Sequence, residues 1–316
     1  MSGGHCCEHA RDDYIFEWKR RKAFLEKFSP RIKNTNSTRK ELFAVRGTSD
    51  GLVIKECATG ESDKLLTILT ADKGKILVSA KGVRSLKSKN MALCRTFTYA
   101  NFEYYERGGR YWLASGSIND SFFGLNADIE ALSLASYVVD VADELSGENS
   151  PDELLLRVVL NTLYAIEKKL RPLEQIKGTF EFFAAIHAGF MPDVDTCASC
   201  KNPSSEALYL DVMNGCLICS DCLKSKNHPL TEGIPEYDRF ATRNILFPLT
   251  NEVIMAIRYV FSADPKRLFS FVLTKEDDVK AFSRAGEIYL QNHLECGFDT
   301  LDFYRTVAQP IAKINN

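Results

Sequence analysis

Three features of the sequence predict an α+β multidomain chain. Strand-like alternation fills the region before residue 120, helical periodicity dominates after it, and two Cys-x₂-Cys pairs interrupt the helices near residue 200. A small β-barrel would come first, an α-helical domain second, with a four-cysteine module inserted into the helices. With 316 residues, 45% of them apolar and 26% charged, the chain has the length and composition for several globular domains.

The strands come first. From Leu42 to about Asn119 the pattern is β. "DKLLTILT" (63–70) alternates, and "ADKG" (71–74) is a turn in which Gly74 is free to take positive φ. "KILVSAKG" (75–82) returns with Ile76, Val78 and Ala80 on one face. "FTYANFEYYE" (97–106) and "RYWLASGSI" (110–118) flank Arg107-Gly108-Gly109, a hairpin signal. About five short strands with Gly-rich turns suit an OB-type barrel.

The period changes after Gly124. "NADIEALSLASYVVDVADEL" (126–145) keeps its apolar residues close to one helical face. In "SPDELLLRVVLNTLYAIEKKL" (150–170), Ser150 is placed to cap, Pro151 suits the first helical position and Glu153 completes a capping box. "PLEQIKGTFEFFAAIHAG" (172–189) is a further amphipathic helix, closed by Gly189. Helices resume near 250–261 and 276–295.

The insert reads "CASC" (197–200), eighteen residues, then "CSDC" (219–222). Two thiolates at one tight turn and two at a second fill a tetrahedral site, the spacing of a zinc knuckle. Cys197, Cys200, Cys219 and Cys222 are therefore the predicted ligands of one structural zinc ion, with a short hairpin ("ALYLDVMNG") between them. Cys216 offers a second register through "CLIC" (216–219); Gly215 ending the hairpin favours Cys219 and Cys222. Cys57, Cys94 and Cys296 read as small buried hydrophobes. His5, Cys6, Cys7 and His9 lack a second ligand pair at a proper spacing.

Charge is unevenly distributed. The net charge is −2, yet residues 73–95 hold seven basic side chains and no acidic one, while residues 111–156 hold nine acidic and no basic ones. Lys73, Lys75, Lys81, Arg84, Lys87, Lys89 and Arg95 are the candidate nucleic-acid-binding residues, and those of 73–89 are expected to converge at the barrel mouth. A solvated charge run is the ordinary alternative. Against it stand the missing acids and the nearby aromatics Phe97, Tyr99, Phe102, Tyr104, Tyr105, Tyr111 and Trp112; basic grooves with stacking aromatics hold single strands. Binding through phosphates would be largely indifferent to sequence.

Enzyme chemistry finds no support in the residues. A phosphate-binding Gly-rich loop and a Gly-x-Ser-x-Gly turn are both missing, and the one His-x-Glu, "HLE" (293–295), follows the cysteines instead of preceding them. No apolar run is long enough to span a bilayer and the N-terminus lacks a secretory pattern, so a cytoplasmic location is expected. The rival to nucleic-acid binding is a zinc-containing protein-interaction scaffold that does not touch DNA.

"GLVIKECATGESDKLLTILTADKGKILVSAKGVRSLKSK" (51–89) resembles the N-terminal barrel of the RecO recombination-mediator family. "ALSLASYVVDVADEL", the tetracysteine insert after "HAGFMPDVDTC" and "YLQNHLECGFDTLDFY" (289–304) are similar to that family in the same order, over about 42–305. The resemblance implies an OB-fold DNA-binding domain at 42–120, a helical domain at 121–195 and 230–305, a zinc module at 196–229 and an N-terminal extension at 1–41. It implies a nucleoid-associated protein of the RecF pathway of DNA repair and recombination. Such a protein binds single- and double-stranded DNA and anneals complementary strands. With RecR it helps load recombinase on DNA coated by single-strand-binding protein, whose C-terminal tail it contacts through the helical domain. Arg157, Lys168, Lys169 and Arg171 are candidates for that contact. Two departures stand out: residues 1–41 have no counterpart, and Cys216 stands where the family usually has a small residue.

Overall fold

The computed structural model describes residues 45–202, 207–224 and 245–308. The chain divides into two compact units, Met1–Phe43 and Ala44–Asn316, and every described residue belongs to the second. The extension at 1–41, with its His and Cys residues, therefore lies outside the described residues, as do 225–244 of the predicted zinc module and helical domain.

Five strands form the first sheet: β1 (Val45–Thr59), β2 (Asp63–Thr70), β3 (Gly74–Ala80), β4 (Tyr99–Arg107) and β5 (Arg110–Asp120). β1 pairs with both β2 and β4, β2 with β3, β4 with β5, and β3 with β5 in parallel. Each strand thus has two neighbours and the sheet closes on itself in the order β1-β2-β3-β5-β4. A register shift between Val53 and Lys55 bends the long β1 so that it can serve both partners. Alternation gives the closed sheet its own core, in which Leu66, Ile68, Ile76, Val78, Ala100, Phe102, Tyr104 and Tyr111 are buried. Gly108 and Gly109, at φ 57° and 73°, make the two-residue turn between β4 and β5 that only residues tolerant of positive φ adopt freely.

A 3₁₀ turn (Phe123–Ala127) leads into α1 (Ile129–Leu145), α2 (Glu153–Glu167) and α3 (Leu173–His187). Asp128 caps α1 by accepting from the N–H groups of Glu130 and Ala131. Asp152, not Ser150, caps α2, accepting from Leu155 N at 2.9 Å. Ser150 instead lines the contact with the sheet: Gly74 sits at φ 65°, and a Cβ there would lie only 2.7 Å from Gly147 O and nearer still to Ser150 O. Lys75 N donates to Gly147 O at 3.1 Å, completing this junction. Leu52, Ile54 and Leu69 turn outward from the closed sheet into the helical core.

β6 (Asp193–Cys197), β7 (Leu208–Asp211), β8 (Cys216–Cys219), the short α4 (Ser220–Lys224) and β9 (Leu246–Leu249) follow. The strands assemble in the order β6-β8-β7-β9. The predicted hairpin is β7–β8, and β6 and β9 are additions that the sequence pattern did not announce. Helices α5 (Asn251–Ser262), α6 (Glu276–Leu294) and α7 (Asp299–Ala308) complete the helical core. α3 and α6 are joined by a buried polar cluster: Lys177 Nζ lies 3.2 Å from Glu181, 2.9 Å from Glu287 and 3.1 Å from Ser283 Oγ. Burial pushes the Glu181 carboxyl up to about 7 despite Lys177 beside it. Burial works the same way on Glu287, but Lys177 and Arg305 outweigh it and hold that carboxyl below its ordinary value.

Candidate nucleic-acid interface and metal centre

The predicted cations separate into two groups. β3 runs from Gly74 to Ala80, about 20 Å of extended chain, so Lys73 and Lys75 stand at one end and Lys81 onward at the other. The expected convergence of all six cations of 73–89 does not occur. Lys75 Nζ donates to Asp143 O at 2.7 Å and to Asp143 Oδ1 at 2.8 Å, and Lys73 lies 3.6 Å from Glu106. Lys75 is thus held by a helix and Lys73 by β4, and a groove of about 300 Å³ beside Lys75 is bordered by Lys55, Asp143 and Glu148.

Lys81, Arg84, Lys87, Lys89 and Arg95 belong to the loop between β3 and β4 and are all exposed. None forms an ion pair with a described acidic residue, although Lys81 helps hold Asp63 below its ordinary pKa after the Gly82 N–H and the Ser62 hydroxyl. The loop is nevertheless fixed. Arg84 N donates to Ser62 O and Arg84 Nη1 to Gly60 O, each at 2.9 Å, and Gly82 N donates to Asp63 Oδ1 at 2.8 Å. Asn90 Nδ2 donates to Ala114 O at 3.3 Å, and Val83, Leu93 and Cys94 anchor the loop in the core of the closed sheet. The cations are thus presented by a pinned loop, and Leu86, 95% exposed, stands among them.

The predicted aromatics divide as a closed sheet requires. Phe102, Tyr104 and Tyr111 fill its interior, and Phe97 and Tyr99 pack on the helical side. Tyr105 and Trp112 face outward. Cys57, expected as a buried hydrophobe, is exposed on the outer face of β1, whereas Cys94 is buried and Cys296 half-buried.

The thiols of Cys197, Cys200, Cys219 and Cys222 all lie within 4.8 Å of one another. Cys200 Sγ and Cys219 Sγ are 3.7 Å apart. Sulfurs about 2.3 Å from a tetrahedral zinc stand about 3.8 Å from each other, so the donor set is compatible with a zinc site. Backbone geometry points the same way. Cys219 N donates to Cys197 Sγ at 3.3 Å and Cys222 N to Cys219 Sγ at 3.4 Å, the arrangement that favours thiolates. Burial acts to raise the Cys197 thiol, but N–H donors of Cys200, Cys219 and Ser199 outweigh it and bring it down to about 7. Cys222 is pushed up to about 12, first by its hydrogen bond with Cys219 and then by burial. Four thiols this close do not all ionise without a cation among them. Cys216 pairs with Asp211 across β7–β8 and is not in the cluster.

The candidates for a peptide contact are engaged. Arg157 pairs with Glu153, Lys168 with Glu167 at 2.8 Å and Lys169 with Asp128 at 2.7 Å. Arg171 donates to the carbonyls of Phe271 at 2.8 Å and Ser270 at 3.0 Å, tying α3's approach to the α5–α6 connection. Phe123, Tyr164 and Leu170 are exposed, with Lys168 Nζ 5.8 Å from the Tyr164 ring, and were not singled out from sequence.

Residues 46–122 match the family model Recombination protein O N terminal, and residues 126–231 match Recombination protein O C terminal. The chain belongs to the RecO family. Similar RecO proteins include the DNA repair protein RecO of Acetivibrio thermocellus, 29% identical over 259 residues that cover 82% of this chain and 96% of that protein. The DNA repair protein RecO of Caldicellulosiruptor bescii is 26% identical, covering 81% of this chain and 97% of its own length. That of Clostridium acetobutylicum is 29% identical over 58% of this chain and 74% of its own. RecO membership assigns the chain to DNA repair and recombination. No helix among the described residues is long and apolar enough to cross a membrane.

Proposed function

We propose that this chain is a recombination mediator that does no bond chemistry of its own. It binds single- and double-stranded DNA through an OB-type barrel, anneals complementary strands and, with RecR, helps load recombinase onto DNA coated by single-strand-binding protein. The observation that carries the reading is the pinned loop 81–95, whose five cations are exposed at one end of a closed sheet. The strand order β1-β2-β3-β5-β4, with a parallel β3–β5 contact, supports an OB-type assignment. Annealing requires only that cations screen the repulsion between two phosphate backbones, so no catalytic group is needed.

In this reading Cys197, Cys200, Cys219 and Cys222 hold one structural zinc. A site closed by four thiolates has no position for an activated water, so its role is to shape the β6–β9 sheet. The acidic, apolar-ended tail of the coating protein would dock near Phe123, Tyr164 and Leu170, with Lys168 and Lys169 at the rim. The deciding experiment is strand annealing with and without the coating protein, titrated with salt. Annealing that fades as salt rises supports the proposal. A folded, metal-loaded protein that leaves bare complementary strands unpaired at low salt overturns it.

A further inference from the structure

We infer that Tyr105 and Trp112 form a base-stacking platform on the outer face of β4 and β5, which single-stranded nucleic acid crosses. This rests on the DNA-binding reading above. The two residues are direct partners across the β4–β5 hairpin, so their side chains stand side by side, about 5 Å apart at Cβ. Tyr105 is 43% exposed and Trp112 partly so. Their strand neighbours Tyr104 and Tyr111 take the inner face and meet edge-on at 5.3 Å, so the core is filled without the outer pair.

The platform is bracketed by cations. Arg46 of β1 is opposite Tyr105, and Ser79 of β3 is opposite Trp112, so one row crosses four strands. Lys81 follows two residues after Ser79, and the loop 81–95 begins there. In the other direction Arg107 and Arg110, paired with each other and exposed, stand two residues from Tyr105 and Trp112. Two residues of strand are about 7 Å, so phosphates could be met on both sides of the rings. Glu103, two residues from Tyr105 on the same strand, is held by Arg46 at 2.5 Å and by Ser115 Oγ. Flat exposed rings between cations suit an occupant whose bases are unpaired and whose backbone is anionic. A duplex keeps its bases stacked inside and offers the rings nothing.

Trp18 and Trp112 are the two tryptophans, so Trp18→Phe in the full chain leaves Trp112 as sole reporter. Oligothymidylate, an abasic oligonucleotide of equal phosphate number and a duplex are titrated against it. Quenching by oligothymidylate alone is expected. Tyr105→Leu and Trp112→Leu should each weaken oligothymidylate binding about tenfold and leave duplex binding unchanged. Equal quenching by the abasic chain, or unchanged oligothymidylate affinity in both folded variants, overturns the platform while leaving DNA binding intact. Should no oligonucleotide bind, the DNA-binding reading falls and the platform with it. The quenching arm keeps the face unaltered, so it decides even if a leucine variant misfolds.

Discussion

Replacing Lys81, Arg84, Lys87 and Lys89 by Glu should do more than weaken DNA binding; it should flatten its salt dependence by a calculable amount. The structure presents these four cations, with Arg95, exposed and without a described acidic ion-pair partner. On a single strand each phosphate contact contributes about −0.7 to the slope of log K against log[salt]. Losing four contacts should therefore reduce the magnitude of the slope by about 2.8. Between 50 and 200 mM salt, such a change corresponds to about 50-fold less loss of affinity. Lys75 is the internal control. Its ammonium is held by Asp143 at the far end of β3, so Lys75→Ala should leave the slope unchanged. Fluorescence anisotropy on unrelated oligonucleotides across a salt series measures both. A fourfold variant whose slope equals that of the parent would refute loop 81–95 as the phosphate grip. A slope change from Lys75→Ala would refute the division of the cations into two groups.

Further outcomes follow from other parts of the molecule. Metal chelation or Cys197→Ser should remove hydrogen-exchange protection from residues 193–222 and leave the closed sheet protected, because the thiol cluster lies wholly within that segment. Gly74→Ala should destabilise the chain by several kcal/mol, read by denaturant titration, because positive φ and a Cβ forced against the carbonyls of Gly147 and Ser150 act together. Lys177→Met should cost about 3 kcal/mol by leaving Glu181 buried without its cation, while Glu287 keeps Arg305. Glu181 titrates at about 7 in the folded chain against an ordinary 4.5, so the native state keeps a proton that the unfolded chain releases. Its contribution to stability is thus present at low pH and lost as pH rises from about 4.5 to about 7, by roughly 3 kcal/mol. Glu181→Gln should remove that decline in a series of melts.

Local rules made much of this architecture legible. Alternation and Gly-rich turns place β2 to β5, and the knuckle spacing picks out four cysteines that meet. Where the reading missed, contacts distant in sequence decided. Ser150 has the right chemistry for a cap, but its backbone is committed to Gly74, and the aspartate two residues on takes the role. β6 and β9 are five and four residues long and pair with segments far along the chain, so no periodicity marks them. Cys57 looked like a buried hydrophobe because its type usually is, yet the register of β1 against β2 turns it outward. The division of the aromatics required knowing the face of each strand, which closure of the sheet fixes and composition does not.

The fate of Lys75 shows why a charge run cannot be read as a unit. A strand carries its side chains apart as well as alternately, so cations close in sequence become distant in space whenever a strand intervenes. Between Lys75 and Lys81 lies nearly the whole of β3. The nine acids of residues 111–156 then act selectively. At the start of β3, Asp143 holds the Lys75 ammonium and Glu148 bridges the backbone of Gly74 and Lys75. No such acid from that segment pairs with the described cations of 81–95. On the DNA-binding proposal, a phosphate chain should therefore meet the loop 81–95 in preference to Lys75. Removing that ion pair with Asp143→Asn should free Lys75, steepen the salt slope and admit the backbone at the start of β3. An unchanged slope in that variant would mean that the acids serve the junction alone.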